Sequence, residues 1–149
     1  MRKAALLLCP LVLGFGQLAS ATTLPDLNQK KAVGDIPSVI VSGMEAYKAK
    51  GPDEAVKAWI KGSPIEGSKD ALSQANALRQ VQDFYGAYRS FEVIGTRDLS
   101  SKTRILYLIL DYDNGPLFAK FVVYHTEQGW ILTSFNFNTK DEMIPSSLP

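Results

Sequence analysis

The spacing of apolar residues changes period once along this chain, near Gly86. Upstream of that point apolar positions recur three and four apart, as on one face of a helix. Ile36, Val39, Ile40, Gly43, Met44 and Tyr47 mark a first helix, with Asp35 as its N-cap, Pro37 in its first turn and Gly51 as its end. Pro52 opens a second helix, where Asp53 and Glu54 sit at the positive dipole end, Lys57 and Lys61 toward the other, and Gly62 terminates. Its inward stripe is Ala55, Val56, Trp59 and Ile60. After a loop containing Pro64 and Gly67, Ser68 caps a third helix that buries Ala71, Ala75, Leu78, Val81 and Tyr85 and stops at Gly86.

Downstream of Gly86 the runs are rich in β-branched and aromatic residues and predict four strands, at about 88–97, 103–112, 117–125 and 130–138. The class is therefore α+β, three N-terminal helices packed on a curved four-stranded antiparallel sheet. Asp113-Asn114-Gly115-Pro116 is the best hairpin signal, and Gln128-Gly129 marks the next. With Asn114 and Gly115 as a two-residue loop, Tyr112 pairs with Leu117, Leu110 with Ala119, Leu108 with Phe121 and Leu106 with Val123, an apolar face. The opposite face takes Ile105, Tyr107, Ile109 and Asp111 beside Phe118, Lys120, Val122 and Tyr124, continued by Ile131, Thr133, Phe135 and Phe137. It too is largely apolar. Helices cover one face, so the other needs a second cover; a second copy of the chain is the economical one, and a bulge together with the segment before the first helix is the alternative.

The N-terminus adds a compartment. Arg2 and Lys3 precede an apolar stretch from Ala4 to Phe15, and Ala19-Ser20-Ala21 offers the small-x-small pattern of a signal peptidase site, with the cut after Ala21. The apolar run is shorter than the roughly 20 residues that span a bilayer. Residues 1–21 thus read as a cleavable signal peptide, 22–34 as a solvated leader, 35–139 as one domain and 140–149 as a tail, in a periplasmic or secreted protein. Cleavage removes the only cysteine, Cys9, and leaves 14 basic against 15 acidic residues, a formal charge of −1. That balance, with no basic cluster beyond Lys30-Lys31, argues against nucleic acid or an anionic membrane as partner.

Little chemistry is left for what remains. His125 is the only histidine, which excludes multi-histidine metal sites, and no spaced acidic loop offers oxygen ligands, so no metal is expected. At a strand end beside a turn, His125 reads as non-catalytic. No phosphate-binding glycine loop or dinucleotide fingerprint occurs, so no cofactor is expected. Asp111 stands among Leu110, Ile109 and Tyr112, where desolvation would raise its pKa toward use as a base; the structural alternative is a cross-strand ion pair with Lys120 and Arg89. Glu92, between Phe91 and Val93, is the second carboxylate candidate, and Tyr107 or Tyr85 the phenol that would polarise a carbonyl. Tyr47, Trp59, Phe84, Tyr85 and Tyr88 bring aromatic mass to the helix layer, either as core or as a pocket for a small apolar ligand.

Three helices followed by an antiparallel meander, closing with Ile105-Leu106-Tyr107-Leu108, Phe121-Val122-Val123-Tyr124 and Gly129-Trp130-Ile131-Leu132 running to Phe135, resemble the nuclear transport factor 2-like superfamily. That superfamily has a cone-shaped, cystatin-like fold and includes SnoaL-like cyclases, ketosteroid isomerases and small exported bacterial proteins. The isomerase pattern of a tyrosine and two carboxyls is not matched, so the resemblance implies a fold and no catalytic residue. The strand that usually follows the second helix in that family is missing or very short here. Two functions compete. One is an exported non-enzymatic module, homodimeric through the second sheet face, that binds a small apolar ligand or an envelope protein. The other is a cofactor-independent isomerase, cyclase or hydratase using a buried Asp111 or Glu92.

Overall fold

A computed structural model describes residues 36–146, so the segments read as signal peptide and leader, and the expected N-cap Asp35, lie outside the described residues. Helix α1 spans Ser38–Lys50, with Pro37 (φ −53°, ψ 134°) rather than Asp35 at the N-cap position and thus ahead of the first turn. Proline has no N–H to lose, and its carbonyl accepts from the N–H of Ile40 at 2.9 Å, starting the helix without a side-chain cap. Gly51 joins α1 to α2 (Pro52–Ile60) through a single residue at φ 90°, a conformation that favours glycine. Helix α3 spans Lys69–Tyr85, and Ser68 caps it by accepting the Ala71 N–H at 3.1 Å.

The four strands β1 (Tyr88–Ser100), β2 (Thr103–Tyr112), β3 (Gly115–Thr126) and β4 (Gly129–Asn138) form an antiparallel meander in sequence order. The β2–β3 loop is Asp113-Asn114, not Asn114-Gly115, and Tyr112 pairs with Gly115. Moving the two-residue loop back by one position shifts every expected pair by two residues, so that Leu110 faces Leu117 and Leu106 faces Phe121. The cause is local docking. The Asp113 carboxylate accepts the Ala87 N–H at 2.8 Å, the Asn114 N–H donates to Tyr85 O at 2.9 Å, and Gly115 lies against the Tyr85 ring, where a Cβ would stand 3.1 Å from a ring carbon. A shift of two preserves the faces. Leu106, Leu108, Leu110, Leu117, Ala119, Phe121 and Val123 are all buried, as expected for the helix side.

One assignment of faces is overturned. A bulge at Thr133 separates the pairs Val122–Ser134 and Val123–Leu132, and the Thr133 hydroxyl donates to Val122 O at 3.1 Å. The extra residue reverses the alternation. Ile131 stays on the second face, but Phe135 and Phe137 turn to the helix side, where their rings lie 6.2 and 5.9 Å from Trp59. Trp59 is wholly buried, also meets Phe121 at 5.1 Å, and donates its Nε1–H to Ile40 O at 3.2 Å. Gly43 makes this approach possible, since a Cβ there would stand 1.9 Å from Trp59 Nε1.

Candidate functional site

The aromatic residues that sequence reasoning grouped as a pocket are divided by the fold. At its C-terminal end α1 carries Tyr47, which is 2 % exposed and stacks on Tyr88 at 4.5 Å with the rings 10° from parallel. Its hydroxyl shares a 2.7 Å hydrogen bond with that of Tyr112, a residue missed although it falls in phase with Leu106, Leu108 and Leu110. Tyr85 reaches the same group, 6.4 Å from Tyr112. Trp59 belongs to the core described above. Phe84 is not brought in, being 80 % exposed and in contact with Tyr85 at 5.3 Å.

Burial pushes the Tyr47 hydroxyl up to about 12, a rise that its hydrogen bond with Tyr112 partly offsets, and burial likewise raises Tyr88 and Tyr112. All three stay protonated across the physiological range, so they can donate hydrogen bonds but not accept a substrate proton. None of the five grouped residues lines either of two clefts on the surface. One, about 480 Å³, lies between α1 and α2 over Ala46, Ala49 and Ala58. The other, about 280 Å³, lies between α3 and β4.

Asp111, Glu92 and Tyr107 share the sheet face turned away from the helices, as Glu92 pairs with Ile109 and Tyr107 is two residues from it. Both carboxylates are exposed, whereas Tyr107 is 4 % exposed. Tyrosines apart, Ser63 is the only buried polar or charged residue among the described ones, so the buried carboxylate required for an isomerase-like base is not found there. The expected ion pair of Asp111 also fails. The shifted hairpin places Lys120 opposite Tyr107, and Arg89 instead binds Asp113 at 2.5 Å. Asp111 accepts a hydrogen bond from the Ser90 hydroxyl at 2.8 Å.

A second group went unnoticed in the sequence. Arg104 is in phase with the buried leucines of β2, on the helix side but at the far end of the sheet, and its Nε donates to Asp98 at 2.5 Å. The guanidinium lies 5.4 Å from the centre of the Trp130 ring, and the His125 ring meets that indole near-perpendicularly at 4.9 Å. An arginine in the apolar phase of a strand was the available signal. The arrangement ties β1, β2 and β4 together at an end where charge-neutralised arginine covers an indole.

The centre of the second sheet face is closed within the chain, with Ile105 and Tyr107 only 8 and 4 % exposed. Its rim is open: Ile109, Phe118, Val122 and Ile131 are half-buried and Tyr124 is 39 % exposed. A 3-10 turn, Asp141–Met143, packs against β3 and β4. Among the described residues no three His, Cys, Asp or Glu side chains gather as metal ligands, and no helix is long and apolar enough to cross a membrane. No family model, curated protein or solved structure matches this chain.

Proposed function

We propose that this is an exported, non-enzymatic binding module with a nuclear transport factor 2-like cone, which pairs with a second copy through the rim of its second sheet face. One observation carries the reading: the space between helices and sheet is filled by side chains around Trp59, while the apolar surplus of Val122, Tyr124 and Ile131 lies on the side no helix covers. Surplus of this kind on a soluble chain favours association. The order of elements supports the cone, and the charged, apolar and small-residue regions before Thr22 support export.

The test is the mass of the chain beginning at Thr22, measured by light scattering at micromolar concentration. A dimer is expected, reduced to monomer by Val122→Lys with Ile131→Lys while the circular dichroism spectrum is unchanged. A monomer before substitution overturns the reading. Recovery of a periplasmic or secreted product whose N-terminus is Thr22 tests export.

A further inference from the structure

The two edges of the sheet are treated differently. An edge strand exposes unpaired backbone N–H and C=O groups, and soluble proteins guard such edges with charges, prolines and bulges. Strand β1 has three register shifts along its length and four charged residues, Arg89, Glu92, Arg97 and Asp98. In β4 there is no charge and no proline, and its pairing with β3 is regular from Ser134 to Asn138. Among the described residues nothing pairs with its outer edge.

That edge borders the 280 Å³ cleft. Four consecutive residues, Thr133 to Asn136, line it. Thr133 is the bulge, and beyond it the side chains of Ser134, Phe135 and Asn136 alternate between faces, so a cleft that takes in all three follows the strand's edge. The far wall is the start of α3 and the loop before it. Ile65 and Ala71 join Phe135 as apolar contacts, Ser68, Ser73 and Gln74 supply polar ones, and Asp70 is the only charged residue lining the cleft.

We propose that this cleft takes an extended peptide of a partner protein, added to β4 as a fifth strand and carrying a lysine or arginine that reaches Asp70. Strand addition between an edge and a helix draws affinity from the backbone and selectivity from alternate side chains. A second copy does not fit the same place. Its β4 has no cation for Asp70, and its β1, which does carry Arg89 and Arg97, is broken by three register shifts and is a poor partner for a regular edge. The proposal is independent of the sheet-face pairing, which uses another surface.

The probe is an acetylated, amidated hexapeptide, Thr-Val-Lys-Val-Thr-Val, titrated into isotopically labelled chain from Thr22 onward and followed by amide chemical shifts. Shifts should concentrate at Ser134–Asn138 and the start of α3. Methylating alternate peptide nitrogens on one edge should weaken binding about tenfold, and methylating the other set should leave it within about twofold, because only one edge faces β4. Asp70→Asn should weaken the lysine peptide about threefold and leave its glutamine counterpart unchanged. Equal effects of both methylated sets, shifts confined to other regions, an Asp70→Asn variant with unaltered affinity, or no shift at millimolar peptide would each overturn the proposal.

Discussion

The two sides of this sheet are built by different means. On the helix side, rings from β3 and β4 converge on Trp59 of α2, and its approach to α1 depends on one missing methyl group at Gly43. On the other side, Ile105 and Tyr107 are buried, yet their neighbours are apolar only by composition and end in an open rim. Stability should therefore concentrate on the first side, where shape is specified, and substitutions should separate the two. Gly43→Ala is expected to cost roughly 3 kcal/mol. Overpacking contributes about 1–3 kcal/mol and the unpaired indole N–H about 1–3 kcal/mol, against about 1 kcal/mol gained from helix propensity. Urea denaturation measures this. Placing Gly43→Ala in a Trp59→Leu background should reduce the cost to near zero, and equal costs in both backgrounds would show that Trp59 is not the obstacle.

The helix side also carries the phenols, which makes its stability sensitive to alkali. Tyr47 ionises near 10 when unfolded and at about 12 in the fold, chiefly through burial. Its contribution is full below pH 10 and is lost as pH rises from 10 through 12, because the unfolded chain releases the proton first. The shift corresponds to about 2–3 kcal/mol. Urea midpoints should accordingly be flat from pH 7 to 9 and fall steeply above pH 10. Tyr47→Phe leaves the Tyr112 hydroxyl without its partner, so it should be less stable at neutral pH but show a shallower alkaline fall. An unchanged alkaline slope would mean that Tyr47 is not the titrating group.

Much of the fold was legible because it rests on period and punctuation. Gly51, Pro52, Ser68 and Gly86 stand at helix ends, and the even phase of β2 identifies its buried face whatever the register. What was not legible depends on contacts distant in sequence. The hairpin register shifted by two residues because Asp113 and Gly115 dock on the junction of α3 and β1, which the turn sequence alone does not encode. Phe135 and Phe137 changed sides because a threonine hydroxyl accommodates a bulge opposite Val122. The site suffered most. Asp111 looked buried because its sequence neighbours are apolar, yet it is near the strand end on the face away from the helices, where it is exposed. Arg104 was passed over because a charged residue at the start of a strand reads as solvated, although Asp98 and Trp130 hold it on the apolar face.

The smallest expected effect tests the comparison from its weak side. Tyr124 is on β3, 39 % exposed on the second face, opposite Thr103 on one neighbour and Ile131 on the other. Replacing it with serine removes an aromatic ring from a half-open surface and leaves no cavity, so the loss is limited to strand preference and partial burial. About 0.5 kcal/mol, and no more than about 1 kcal/mol, is expected in urea at the lowest chain concentration that gives a signal. Low concentration matters, since association through this face would add a mass-action contribution that grows with chain concentration. A loss above about 2 kcal/mol under those conditions would mean that the second face is packed as a core. The division between a shaped side and a composed side would then fail, and with it the expectation that this rim is free to meet a second copy.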